Sequence, residues 1–388
     1  MRQNNDQFLP LDYISWCSFM SFSVSSVIIG LCLPEISNEL NLNSVEGGLT
    51  ESLRNFALMF GLLIFAIFAT TIGKKIFSFN GQYLLALGLL CASFAPSYPL
   101  LLVSLIFIGF GGGIIEGVIN PLIVDLHPNN TNKYVNIANA FFPVGVVIAA
   151  IIFGQLLYMD VSWRIIFRIA AFFAFLIGIL FSVSRFPRSL DSENFNIQII
   201  YRLFKMRIFW ILAAALFLAA GVESAFTFWS RTYISNFLSD NIRIGTFAVV
   251  VFSSSMAIGR FLSVKLSNLL SEIGLMFLSA ILGIIASLLI PFTFSILSFY
   301  LMLALAGFSA ACFWPMILIV AARLIHTNNS ALFSLLALFG ISGFGIFPAV
   351  IGYLSQIFNL RIAIFILPLA FALLIILIFR VQKYAQNH

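Results

Sequence analysis

The chain has 388 residues, of which 61% are apolar and only 9% charged. Soluble domains carry about 25% charged residues, so no soluble surface of ordinary composition can be built, which excludes a nucleic-acid binder, a secreted disulfide scaffold and an ordinary cytosolic enzyme. The net charge of +6 reads as the basic bias of cytoplasmic loops in membrane proteins, not as a polyanion partner.

The polar start from Met1 to Pro10 has no basic n-region and no A-x-A site behind it, so the first apolar run is expected to be retained as a span. Apolar runs of bilayer length then follow at Tyr13–Leu33, Gly48–Ile72, Gly81–Ala95, Leu100–Leu126, Val135–Tyr158 and Trp163–Ser184. A polar stretch from Arg185 to Arg207 comes next, with five basic residues against Asp191 and Glu193. It reads as a linker holding an interfacial segment at Asn196–Lys205. Six more runs complete the chain: Ile208–Ser230, Ile244–Leu266, Ile273–Phe292, Ile296–Ala322, Leu332–Ile357 and Ile362–Arg380. The expected fold is therefore an all-α membrane protein of 12 transmembrane helices in two pseudo-symmetric six-helix bundles, residues 1–184 and 208–388, joined by the linker 185–207.

With the N-terminus inside, inner loops and inner helix ends take 14 of the 20 Lys and Arg residues, Arg260 among them. Both termini are accordingly expected in the cytoplasm. The halves also repeat. His127-Pro-Asn-Asn-Thr131 answers His326-Thr-Asn-Asn-Ser330, and Gly61, Gly145 and Gly154 pair with Gly259, Gly343 and Gly352, each 198 residues on. Pro121 answers Pro315 at 194. The two Asn-Asn-Thr/Ser strings read as helix caps opening spans five and eleven.

A charge at the centre of a bilayer costs at least about 2.5 kcal/mol, so each one needs a reason to stay. The cores of spans three, six, nine and twelve carry none and are expected to face lipid. Polarity collects instead at Glu116 and Asn120 in span four, Glu223 in span seven, Asn136 and Asn139 in span five, and Glu51 and Arg54 in span two. Glu116 lies near the middle of its run; Asn120 is four residues on, stacked on the same helical face, and Pro121 frees a carbonyl beside it. An intramembrane acid is a functional candidate by default, so Glu116 is expected to exchange a proton. Glu223 is either a second such group or an anchor that pairs with Arg54 or Arg231, while Glu51 and Arg54, three apart, are placed to neutralise one another. Asn120, Asn136 and Asn139 are candidates to bond a solute, with Phe142, Trp229 and Trp314 as apolar or stacking surfaces and Arg54 as a cation. No catalytic or metal-binding constellation is present in the sequence: the three histidines lack metal spacing, the four cysteines sit singly in apolar runs, and Gly109-Phe-Gly-Gly-Gly113 has no Lys-Ser/Thr behind it.

Twelve spans in two repeated sixes, Gly73-Lys-Lys75 after span two and Trp163-Arg164 opening span six resemble the major facilitator superfamily. Gly109-Phe-Gly-Gly-Gly-Ile-Ile-Glu116-Gly-Val-Ile-Asn120-Pro121, Asn136-Ile-Ala-Asn139-Ala-Phe-Phe-Pro-Val-Gly145, Gly221-Val-Glu223 and Phe313-Trp-Pro315 are similar to its fucose–galactose–hexose permease branch. The resemblance implies a proton-coupled secondary transporter of the inner (plasma) membrane, not an enzyme and without a cofactor. Such a carrier moves a small sugar or sugar-like solute as a monomer, with the proton and the bilayer as its other partners. Glu116 takes the place of the branch's proton-linked glutamate, and Asn139 that of a polar cavity residue. Two departures bear on the solute: an acid of span one falls on Gly30, and a span-five asparagine falls on Phe142. Both remove partners for hydroxyl groups and leave open a proton/drug antiporter for apolar compounds, or a non-transporting receptor on the same fold.

Overall fold

A computed structural model describes residues 8–128, 130–187, 197–266, 269–325 and 329–387; those residues form helices and short connections, with no strand among them. The helices are α1 (Pro10–Leu40), α2 (Ser44–Ile72), α3 (Lys74–Phe94), α4 (Tyr98–Leu126), α5 (Thr131–Tyr158), α6 (Trp163–Val183), α7 (Ile197–Lys205), α8 (Arg207–Phe237), α9 (Ile242–Leu266), α10 (Glu272–Leu289), α11 (Ile296–Ala310), α12 (Phe313–Leu324), α13 (Asn329–Ile357), α14 (Leu360–Ala363) and α15 (Ile366–Asn387). Twelve stretches are long and apolar enough to cross a membrane, α11 with α12 and α14 with α15 each making one. The chain is an all-α integral membrane protein.

Local chemistry sets the helix ends. Gly73, at φ 93°, turns the chain from α2 into α3 in the left-handed region that suits glycine. The side chains of Ser162 and Ser271 accept the backbone N–H of Arg164 and Gly274, and Ser295 and Ser298 form a capping box at the start of α11. The expected cap of α5 is not realised: Asn130 holds the cap position without a side-chain cap bond, and the Thr131 hydroxyl donates to the His127 carbonyl instead. The strings' other residues at 129 and 326–328 lie outside the described residues. Helix α3 begins seven residues before the expected Gly81, because its polar first turns find partners. Lys74 Nζ reaches Asp125 Oδ2 at 2.7 Å, Ser78 donates to the Lys74 carbonyl, and Gln82 Nε2 donates to Ser18 Oγ at 2.7 Å. The interfacial segment is helical as α7, with Leu203 buried and Tyr201, Arg202, Phe204 and Lys205 exposed.

The internal repeat is tighter than the sequence alone suggests. Helices α2, α3, α4 and α5 start at Ser44, Lys74, Tyr98 and Thr131, while α9, α10, α11 and α13 start at Ile242, Glu272, Ile296 and Asn329, every pair 198 residues apart. In that register Trp314 is the counterpart of Glu116. The prolines stand one turn out of step, which explains their different outcomes. Pro121 is carried inside a continuous α4, whereas Pro315 follows the break between α11 and α12.

The same register exposes a charge inversion. Lys74 pairs with Asp125, and at the positions 198 residues on Glu272 pairs with Arg323, also at 2.7 Å. The first pair is nearly sealed, at 6% and 2% side-chain exposure, while Arg323 is 64% exposed. Removing one partner of a buried pair strands a charge and costs about 3–5 kcal/mol, whereas a solvated pair contributes about 0–1 kcal/mol. Lys74→Ala is thus expected to lower the unfolding midpoint in detergent sharply and Arg323→Ala hardly at all. Equal losses would contradict this account of the pair.

Two compact units are distinguished by their internal packing. One comprises Met1–Cys32 and Phe56–Phe195, the other Leu33–Asn55 and Asn196–His388. In the first, α3 packs along α4 and α6. Its helix ends are tied where His127 Nε2 meets both carboxylate oxygens of Asp12, at 2.8 and 3.0 Å, and its ring stacks on Tyr134. In the second, α8 packs against α13, α15 and α9. The segment 33–55 belongs there through Ser52 Oγ, which donates to the Gly345 carbonyl at 2.6 Å, and through the ion pair of Glu35 with Arg231. Helices α10 and α15 present stripes of exposed apolar residues (Leu278, Ile281, Ile285 and Leu288; Leu369, Leu373 and Ile376) at helical spacing, a surface suited to acyl chains.

Candidate functional site

Helix α4 gathers the first cluster. Its glycines permit close packing: Gly113 lies on the Leu58 carbonyl of α2, Gly111 on Leu85 of α3 and Gly112 on the Phe22 ring of α1. Glu116 is one turn beyond Gly112 on the face that turns toward α1, half-buried, and no hydrogen bond or ion pair reaches its carboxylate among the described residues. One turn further, Asn120 Oδ1 accepts from Asn139 Nδ2 of α5 at 2.9 Å, and the same Nδ2 donates to the Val135 carbonyl. Asn139 is exposed, and Phe142, three residues on, meets Phe22 with ring centroids 5.4 Å apart. The first unit thus brings Glu116, Asn120, Asn139 and Phe142 around the faces of α1, α4 and α5. The Asn136 side chain lies outside the described residues.

The second unit holds the other candidates, and they do not form one cluster. Arg54 is committed locally: its Nη2 and Nε bond the Glu51 carboxylate and Nη2 also reaches Asn55 Oδ1 at 3.2 Å, all three residues being buried. Trp229 is buried, its indole N–H donating to the Pro348 carbonyl at 3.2 Å. It lines a small apolar void with Phe226, Ser230, Tyr233 and Phe299. Trp314 packs on Gly340 and Phe344 of α13. Glu223 pairs with neither Arg54 nor Arg231, because Glu51 and Glu35 hold those cations. Its charged neighbour is Arg260 of α9.

Arg260 is the residue that sequence reasoning passed over, having counted it with the basic inner helix ends. The available signal was periodicity. Phe247, Ile258, Phe261 and Leu262 mark the exposed stripe of α9, and Arg260 lies on the opposite stripe with Val249, Ser253 and Met256, which are buried. Among the described residues no three of His, Cys, Asp and Glu gather to hold a metal ion.

Comparison with known proteins agrees with this architecture. The family model of the Major Facilitator Superfamily matches residues 14–328. A TsgA homolog of Buchnera aphidicola subsp. Schizaphis graminum is 24% identical over 237 residues, 59% of this chain, and the match spans only 60% of that relative's length. A bacterial homolog of the human lysosomal transporter Spinster superposes with a TM-score of 0.80 at 15% identity, covering 96% of each chain. The transporter FucP does so with 0.68 at 20% identity, covering 96% of this chain and 99% of its own. With twelve membrane-crossing helices and a family match over most of its length, the chain belongs to the major facilitator superfamily: it is a membrane transporter for small molecules, and not an enzyme.

Proposed function

We propose that the protein is a proton-coupled carrier that moves a small sugar-like solute across the inner (plasma) membrane by alternating access. In this reading residues 1–184 and 208–388 act as the two halves, 185–207 joins them, both termini lie in the cytoplasm and the monomer is the working unit. Glu116 carries the proton, with Glu223 as a second acid. Asn120, Asn136, Asn139, Phe142, Arg54, Trp229 and Trp314 are the residues assigned to the solute.

The observation that carries the reading is Glu116. A carboxyl in the middle of an apolar helix, half-buried and without a hydrogen-bond partner among the described residues, is too costly to keep as mere packing. It lies one turn from the amide pair Asn120–Asn139, a suitable group for hydroxyl recognition. Solved structures of similar fold include a D-xylose-proton symporter and the nucleoside transporter NupG. A second reading, export of apolar compounds against protons, draws support from the Phe22–Phe142 contact beside the cluster. Proteoliposomes with an imposed proton gradient separate the two: solute accumulation down the proton gradient supports symport, and dye expulsion supports antiport. Flux of neither kind contradicts both.

A further inference from the structure

We propose that Arg260 and Glu223 form an anion subsite in the second unit, where Arg260 takes a carboxylate of the transported solute. The proposal rests on the carrier reading and narrows its solute class to a sugar acid.

What sets Arg260 apart is how other cations in the helices are satisfied. Arg54 is held by Glu51, Arg231 by Glu35 and Lys74 by Asp125. Arg164 donates to the Ser93 carbonyl, Arg168 to the Ser93 hydroxyl, and Arg361, whose Nε is also buried without a hydrogen-bond partner among the described residues, has its charge over the Phe237 ring. Arg260 has no such arrangement. Its Nε is buried with no hydrogen-bond partner among the described residues, and Nη2 reaches only Met256 Sδ at 4.0 Å. It does not snorkel into the acyl region either, because the exposed stripe of α9 is on the helix's other side.

The register of α8 and α9 places Glu223 nearby. Gly245 lies against Arg231, and the rings of Phe252 and Phe226 are 5.6 Å apart, so the two helices run antiparallel. Glu223 then falls opposite residues about 254–256, with Arg260 about one turn beyond. The two side chains make no direct ion pair. A guanidinium with unused N–H groups forks naturally onto a carboxylate. Glu223, held back from direct contact, is placed to accept from a neighbouring hydroxyl and to keep the loaded site from binding simple anions too tightly.

Binding to the purified full chain in detergent tests this through thermal shift, with galacturonate against galactose, gluconate against sorbitol, and lactate as the minimal acid. The acids are expected to raise the unfolding midpoint of wild type where their neutral partners do not. Arg260→Gln should weaken acid binding at least about tenfold, Arg260→Lys should retain part of it, and Glu223→Gln should tighten it for lactate. If galactose binds and Arg260→Gln leaves every affinity unchanged, the subsite is overturned while the sugar carrier stands. If only lactate binds, and does so through Arg260, the subsite stands and the sugar-like reading falls. Absence of any acid-induced shift, or equal shifts in wild type and Arg260→Gln, overturns the subsite.

Discussion

Gly113→Ala protein is expected to reach the membrane poorly and to unfold at a markedly lower temperature than wild type. A Cβ at Gly113 overlaps the Leu58 carbonyl oxygen of α2, and the reciprocal contact, Gly61 on the Phe110 carbonyl, lies along the same helix pair. Alanine favours a helix over glycine by about 1 kcal/mol, so propensity alone would make the change stabilising. Overpacking commonly costs about 1–3 kcal/mol and sometimes more, and here the obstacle is backbone, which cannot rotate aside. Relief requires α2 and α4 to separate, which loosens the packing at both glycines, so the clash wins. Gly47 is the control. A Cβ there meets Leu33 Cδ1 at an ordinary 3.5 Å, so Gly47→Ala should at least match wild type and gain up to about 1 kcal/mol from helix propensity. Detergent unfolding midpoints of both variants check the contrast; equal stability would mean that the α2–α4 contact yields easily.

Glu116→Gln should separate movement of the solute from its driving force. Glutamine keeps the size of the side chain and its ability to hydrogen-bond, but it can neither bind nor release a proton. Exchange of labelled for unlabelled solute across proteoliposomes, which needs no net proton movement, should continue in the variant. Accumulation driven by a pH gradient should vanish. For a one-to-one symporter a gradient of one pH unit is worth about tenfold in solute concentration, so the missing accumulation is easily measured. Loss of both activities would assign Glu116 to the packing of α1 against α4, and retention of both would remove it from coupling.

Much of this arrangement was legible because it is local. Span count follows from apolar runs, and Glu116 with Asn120 is an i, i+4 pair whose shared face needs only helical geometry. What escaped involves partners distant in sequence. The start of α3 looked too polar for a membrane because Asp125 and Ser18, which satisfy Lys74 and Gln82, are 51 and 64 residues away. The proline match at 194 stands one turn off the offset of 198 that the start positions of eight helices share. Arg54 and Arg231 were plausible partners for Glu223 on sequence, and only packing shows that Glu51 and Glu35 claim them first. Arg260 was classed by its position near a helix end, although its place opposite the exposed stripe of α9 was already written in the spacing of Phe247, Ile258, Phe261 and Leu262.

The central claim is that the carboxyl of Glu116 takes up a proton together with the solute. Adding whichever of galacturonate and galactose raises the unfolding midpoint to purified protein in weakly buffered detergent solution, with a pH indicator present, measures that proton directly. The account predicts a rise in pH on binding for wild type and none for Glu116→Gln that still binds. The same rise in both proteins would contradict it.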